Sequence, residues 1–240
     1  MKTEKNLVIS ALIVCLFFFG AIAQIEQPRV SWFDDFLGVR VNQAYSQSFA
    51  GTGAIQIADD TAGSSGIVLL AAMGSGSGAA RLRLGEDPIT GSPFNALSFS
   101  ARKNLVYQSR VFLNCNSDVS ATIGLIGYSD PKNVIALIYG TPEGHWMFEV
   151  TNDGNRTFLD TGFRHEPGKW FTVKITTEWG ETPAAKIYIN DNAEPLAVVT
   201  GEFVPPGGLC PEFQIWNRPL DDAYSQPTMY VDYLSVSQDR

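Results

Sequence analysis

The chain has 240 residues, of which 45% are hydrophobic and 18% charged, and no linker or low-complexity tract divides it, so a single substantial core is expected. Its formal net charge is −8, or −9 once Lys2, Lys5 and Glu4 are removed with a leader. No basic cluster remains, which excludes the electrostatic footprint of a nucleic-acid binder and leaves the acidity as a source of solubility, with cation binding as a further option.

The chain opens as an export signal. Lys2 and Lys5 form a charged start, Leu7 to Ile22 an almost unbroken apolar run, and Ala21-Ile22-Ala23 a small-x-small cleavage site. Residues 1–23 are therefore expected to leave as a signal peptide, so that 24–240 form the domain, secreted or held at an extracellular surface and free of the membrane. Removal of Cys15 leaves Cys115 and Cys210, an even pair in an exported chain, for which a disulfide is the expectation and two buried thiols the alternative.

From Trp32 onward no amphipathic helix of three turns is found. Short β-rich segments recur instead, separated by Gly, Pro, Asn and Asp, at the spacing of an all-β sandwich. In chain order the expected strands are 54–58, 67–71, 80–84, 97–101, 106–113, 119–127, 134–139, 146–151, 171–178, 186–190, 197–200, 212–216 and 230–236. Val119, Ala121, Ile123 and Leu125 share one face, as do Phe171, Val173 and Ile175, with Thr172, Lys174 and Thr176 opposite. The runs Val134 to Ile138 and Ile67 to Leu70 are apolar on both faces and read as central strands covered twice.

Asp130-Pro131-Lys132-Asn133, Thr151 to Asn155 and Asn190-Asp191-Asn192 read as turns, because Asn, Asp and Gly accept tight-turn geometry. Asn155-Arg156-Thr157 is also an N-glycosylation acceptor where the host glycosylates exported proteins; otherwise it is a plain hairpin loop. Gly74 to Ala79 has no Lys and no following helix, so it is a turn and not a phosphate loop. In Tyr230 to Val236 the acid Asp232 interrupts an apolar, aromatic strand, and a carboxylate there must be paired, metal-bound or solvated.

Taken in order, Trp32 to Gly38, Asp160-Thr161-Gly162, Gly168 to Ile175, Lys186 to Asn190 and Tyr230 to Tyr233 give the mature chain a resemblance to the concanavalin A-like lectin/glucanase superfamily. It is similar to stand-alone lectin-like jelly rolls and, more distantly, to laminarinase-type glycoside hydrolases. The resemblance implies two curved antiparallel sheets with the first and last strands adjacent. Any bound glycan would lie across the concave face, and a structural calcium would be held by Asp232, with Asp35 as a weaker ligand, in an oxygen-only site.

The laminarinase-type run of Glu, an Asp two residues on and a second Glu is absent from the sequence. The nearest local carboxyl pairs, Glu149 with Asp153, Glu178 with Glu181 and Asp191 with Glu194, fall at strand ends or turns, where solvated roles are expected. A lyase of this fold would need a His on the cleft face, and His145 and His165 both read as surface residues beside turns. What remains is a non-catalytic, lectin-like glycan binder. Tyr139, Trp146, Trp179 and Trp216 would stack on sugar rings, with Asn217 and Arg218 bonding hydroxyls. Trp170 reads as core. Two alternatives stay open: a structural or adhesive subunit of an extracellular or virion assembly, contacting itself or other proteins, and a diverged polysaccharide hydrolase or lyase.

Overall fold

The structure, a computed structural model, describes residues 29–38, 40–58, 66–73, 78–85, 98–114, 119–127, 132–140, 144–217 and 227–240. The expected leader and its cleavage site lie outside them, as do Cys115 and Arg218. The strands begin with β1 (Arg29–Asp34), β2 (Tyr45–Ala50), β3 (Thr52–Ala58), β4 (Ile67–Met73), β5 (Ala79–Leu84), β6 (Val106–Asn114), β7 (Val119–Gly127) and β8 (Val134–Tyr139). They continue with β9 (Trp146–Asn152), β10 (Asn155–Asp160), β11 (Trp170–Glu178), β12 (Ala184–Ile189), β13 (Ala197–Thr200), β14 (Leu209–Asn217) and β15 (Thr228–Asp239). No helix among the described residues is long and apolar enough to cross a membrane.

The strands form two antiparallel sheets. One has eight strands in the order β13-β12-β11-β6-β15-β4-β3, with β1 also paired to β15; the other has seven, in the order β10-β9-β8-β7-β14-β5-β2. β15 is the longest strand and joins the two ends of the chain: β6 runs along one edge, while β4 takes Thr228 to Val231 and β1 takes Leu234 to Asp239 on the other. The predicted adjacency of first and last strands is therefore observed.

Period-2 alternation fills the space between the sheets. Val111, Leu113, Phe171, Val173, Ile175, Leu234 and Val236 from one sheet meet Leu82, Ile123, Leu125, Leu137, Phe148 and Phe213 from the other, all buried. β8 and β4, apolar on both faces, are interior strands as expected, because each has a neighbour on either side.

Three strands escaped the sequence pattern: β1, β2 and β10. β2 and β10 are the outermost strands of the seven-stranded sheet, and β1 pairs with β15 alone. With one hydrogen-bonded neighbour and mostly exposed residues, such strands need little apolar alternation. The expected strand at 97–101 is corrected. Phe99 makes only an isolated bridge to Leu209, and Ala101–Lys103 form a 3-10 turn capped by Ser100.

Of the cysteines expected to pair, Cys210 is buried on β14, and Cys115 lies outside the described residues.

Where β1 leaves the eight-stranded sheet, Asp34 Oδ1 accepts the Phe36 amide at 2.8 Å, bracing Phe36 in its positive-φ conformation. Asp34 Oδ2, Trp32 Nε1 and the Tyr45 hydroxyl are buried nearby without a well-formed hydrogen bond. Burial raises the Asp34 pKa, and the Phe36 amide and Tyr45 offset only part of that rise. A raised folded-state pKa stabilises most below the unfolded value, and that contribution is lost as pH rises through the folded one. Asp34→Asn keeps the acceptor for Phe36 and removes the charge. The variant should melt higher than the parent at neutral pH, by a margin that closes below about pH 4, as followed by circular dichroism. A margin that stays constant with pH would remove the charge from the account.

Candidate functional site

The outer face of the seven-stranded sheet carries its chemistry in rows that cross the strands. One row reads Met147, Ile138, Thr122, Gln214, Arg81, Ser48, and the next places Trp216 beside Ser120 and Ala79. Trp216 is 38% exposed, and Gln214, Thr122, Ser120, Arg81 and Ser48 are half-buried. Glu212, Gln214 and Trp216 share this face because β14 alternates, with Phe213 and Ile215 turned into the core. Arg81 Nε donates to Ser48 Oγ at 2.9 Å and Ser120 Oγ to the Tyr139 carbonyl at 3.3 Å, which orients both donors. The result is an indole flanked by an amide, hydroxyls and a guanidinium.

A third row crosses the middle of the same face: Phe158, Glu149, Ala136, Gly124, Glu212, Arg83, Ser46. Its centre is low. A Cβ on Gly124 would lie 2.6 Å from the Ala136 Cα, so the close approach of β7 and β8 admits no side chain there. On either side stands a buried carboxylate, Glu149 at 2% exposure and Glu212 at 1%. Glu149 Oε1 accepts from Thr151 Oγ1 at 2.9 Å and Arg156 Nε at 2.9 Å, and Glu212 Oε2 accepts from Arg83 Nε at 2.6 Å.

The register settles what these acids can do together. Three strand spacings, about 14 Å, separate their Cα atoms. Arg156 lies on β10 and Arg83 on β5, so each guanidinium draws its carboxylate away from the other. Glycoside hydrolysis by two carboxyls needs them roughly 5–10 Å apart, and this pair is held wider than that by its own partners. β8, the strand between β9 and β7, presents Val134, Ala136 and Ile138 to this face, and with Ile126 they form a small apolar cluster.

The residues expected to bind sugar divide sharply. Trp216 lies on the face. Tyr139 and Trp146 are corrected to core: they face inward at 5% and 0% exposure, 5.1 Å apart, and Trp146 Nε1 donates to His165 Nδ1 at 3.2 Å. The alternation of β8 and β9 decides this, since both residues share the phase of Leu137 and Phe148. Asn217 is likewise buried. Trp179 is half-buried at the other end of the sandwich, far from Trp216. Asn155 begins β10 and is exposed.

His165 is not the surface residue expected. It packs against Tyr139, Trp146 and Phe171, and burial lowers its pKa, which keeps it neutral as the acceptor for Trp146. His145 stands at the rim with Nδ1 3.0 Å from Asp160 Oδ2. The Gly162 amide, then His145, lowers the Asp160 pKa. Of the carboxyls named from the sequence, Glu149 is buried with Arg156 and not solvated as expected, whereas Glu178 is exposed and bonded to Lys186.

Asp232 sits on the opposite sheet, at the register shift between Val231 and Tyr233. Its Oδ2 is 2.9 Å from Arg110 Nη1, and the same guanidinium lies 5.0 Å from the centre of the Trp170 ring. Trp170 is therefore on the outer face and not in the core, packed on Phe112, which in turn packs on Tyr230. Asp35 only braces its own turn, accepting the Leu37 amide at 3.4 Å. Among the described residues no group of three or more His, Cys, Asp or Glu is placed to hold a metal, and Arg110 is bonded to Oδ2 of Asp232.

The alternation of Glu212, Gln214 and Trp216 and of Arg81 and Arg83 was visible in the sequence as period 2. Their assembly across β5, β14 and β7 was not, because it depends on which strands pair.

No protein-family model matches the chain, and no curated protein matches it by sequence. Solved structures do. The Emp47p carbohydrate recognition domain is 10% identical over 91% of this chain and 100% of its own, with a TM-score of 0.56. An endo-β-1,4-glucuronan lyase from the fungus Trichoderma reesei is 8% identical over 86% and 94%, with a TM-score of 0.57. A β-1,3-glucanase from Mycobacterium marinum is 13% identical over 88% and 99%, with a TM-score of 0.54. The fold is the concanavalin A-like jelly roll.

Proposed function

We propose that this is a secreted carbohydrate-binding protein that holds a glycan against the outer face of its seven-stranded sheet and does not cleave it. The observation that supports it best is the Trp216 row, an exposed indole flanked by Gln214, Thr122, Ser120 and the Arg81–Ser48 pair. A pyranose ring offers C–H groups to an aromatic face and hydroxyls that both donate and accept, and this row supplies partners for each. The structures similar to this chain include a carbohydrate recognition domain and enzymes named for polysaccharides, which supports a carbohydrate ligand without choosing one. A binder is favoured over an enzyme because Glu149 and Glu212 are each committed to an arginine and held apart.

A glycan array on the mature chain, followed by calorimetry on any hit, tests the reading. Trp216→Ala should weaken the hit by about 2 kcal/mol, roughly 30-fold in Kd. Its melting temperature should move far less than that of a variant at a fully buried tryptophan, because Trp216 is 38% exposed. Reducing-end and unsaturated-product assays should stay at background. Turnover of any polysaccharide, or self-assembly on sizing with no glycan bound, would replace this reading with one of its rivals.

A further inference from the structure

A second cleft opens at the far end of the sandwich, where the 3-10 turns Ala101–Lys103 and Gly201–Phe203 meet the segment after β11. Its volume is about 300 Å³, and Trp179, Arg102, Asn152, Glu181, Glu202 and Pro206 are among the residues that line it. Leu209 marks this end and Trp216 the other, seven residues along β14, or roughly 23 Å. The two places are separate.

We infer that this cleft is a binding site for a neutral sugar unit, independent of the Trp216 face. Three features carry the inference: its aromatic wall, its mixed charge and the fixing of its walls.

Trp179 is half-buried, with its indole lining the cleft, and the Arg102 guanidinium lies 5.1 Å from the ring centre. The guanidinium covers one side of the indole, so a flat, C–H-rich ring would pack on the part of the indole that stays open to the cleft and bond the guanidinium at its edge. Opposite charge surrounds that wall, since Glu181 and Glu202 are exposed carboxylates on its margin. An anionic ligand would meet both carboxylates, and a cationic one would meet Arg102. A neutral polyol satisfies all three, because each hydroxyl donates to a carboxylate or accepts from a guanidinium or amide. The volume stands at the low end of ligand pockets, which suits a mono- or disaccharide.

Asn152, Glu202, Pro206, Arg102 and Trp179 are each tied down by a hydrogen bond. Asn152 Nδ2 donates to the Glu202 carbonyl at 2.7 Å, fixing β9 to the second 3-10 turn. Ser100 Oγ donates to the Pro206 carbonyl at 2.7 Å and accepts the Arg102 amide at 3.3 Å. The Trp179 amide donates to Asn104 Oδ1 at 3.3 Å, and Asn104 Nδ2 donates to Asp239 Oδ2 at 2.7 Å at the end of β15. Pro183 and Pro206 add fixed φ angles. A ligand entering such a cleft orders little of the protein, so more of its contact energy remains as affinity.

The chain has five tryptophans, so the indole N–H region of a ¹H–¹⁵N spectrum of the mature protein reports each site separately once Trp179→Phe and Trp216→Phe have assigned two of the peaks. The probes are glucose, galactose, mannose, N-acetylglucosamine and their β-linked dimers, with glucuronic acid and glucosamine as charged comparators. At least one neutral probe should shift the Trp179 peak saturably, both in the parent and in Trp216→Ala. Glu181→Gln and Arg102→Ala alter exposed side chains and should each weaken that shift roughly tenfold, as loss of a hydrogen bond to a charged group does. A Trp179 peak that no neutral probe moves overturns the inference, as does one that both variants leave unchanged. Tighter binding of either charged comparator overturns the ligand class. Because Trp216 is read by its own peak, the face of the seven-stranded sheet stands or falls separately.

Discussion

Trp146→Ala should cost about 3–5 kcal/mol of stability and shift the urea midpoint far more than Trp216→Ala does, although a sequence reading puts both residues in one binding site. Trp146 is fully buried, with Tyr139 and Phe171 packed on it at 5.1 and 5.7 Å between ring centres. Truncation leaves an indole-sized cavity among side chains fixed by two sheets, which cannot close around it. It also leaves His165 Nδ1 without the Trp146 donor. Because the folded-state pKa of His165 is lowered by burial, its contribution is full above the unfolded value of about 6.5 and is lost as pH falls toward the folded one. Stability of the parent should therefore decline on mild acidification through that window, and His165→Gln should flatten the decline. An unchanged urea midpoint in Trp146→Ala would return this residue to the surface.

The second large effect concerns the middle of the seven-stranded sheet. Arg83→Leu leaves Glu212, 1% exposed, without the guanidinium that bonds it at 2.6 Å. Removing one member of a buried ion pair costs about 3–5 kcal/mol, because the remaining charge cannot be rehydrated, whereas replacing both members with apolar groups is often close to neutral. The single variant should therefore be strongly destabilised, and Arg83→Leu with Glu212→Leu should recover most of the loss, as read by a denaturation cycle. Arg156→Leu should cost less. Arg156 is 59% exposed, and Glu149 keeps its bond from Thr151. If the double variant also keeps any glycan affinity, Glu212 is part of the architecture of the face and not a reacting group. A double variant as unstable as the single one would show that the loss comes from packing and not from breaking the ion pair.

The divide between legible and illegible residues follows from periodicity. Val119 to Gly127 and Val134 to Tyr139, both interior, were read with their observed bounds, because such strands must bury alternate or successive apolar residues and the chain itself records that demand; the edge strand Ala197 to Thr200 was read as well, because Ala197 and Val199 are buried in alternation. β2 and β10 left no such record, since Tyr45 is the one buried hydrophobic residue among them. The aromatics show the limit most clearly. Trp146 and Trp216 each sit in a strand of mixed residues, and one position of phase separates a core residue from an exposed one. That phase is set by pairing, Trp146 opposite Tyr139 and Trp216 opposite Ser120.

Asp232 makes the same point for charge. Its place in a strand required that it be paired, bound or solvated. Arg110, 122 residues earlier, is the partner, and only the antiparallel register of β6 against β15 brings the two together.

By itself, then, the sequence determined an all-β chain, most of its strands and the lack of a catalytic carboxyl run, because these depend on local pattern and on residue types; the meeting of its two ends came only as an implication of the resemblance. The tertiary structure decided which tryptophan faces solvent, which acids are neutralised and where clefts open. Those outcomes depend on contacts between residues far apart in the chain, and local pattern does not encode them.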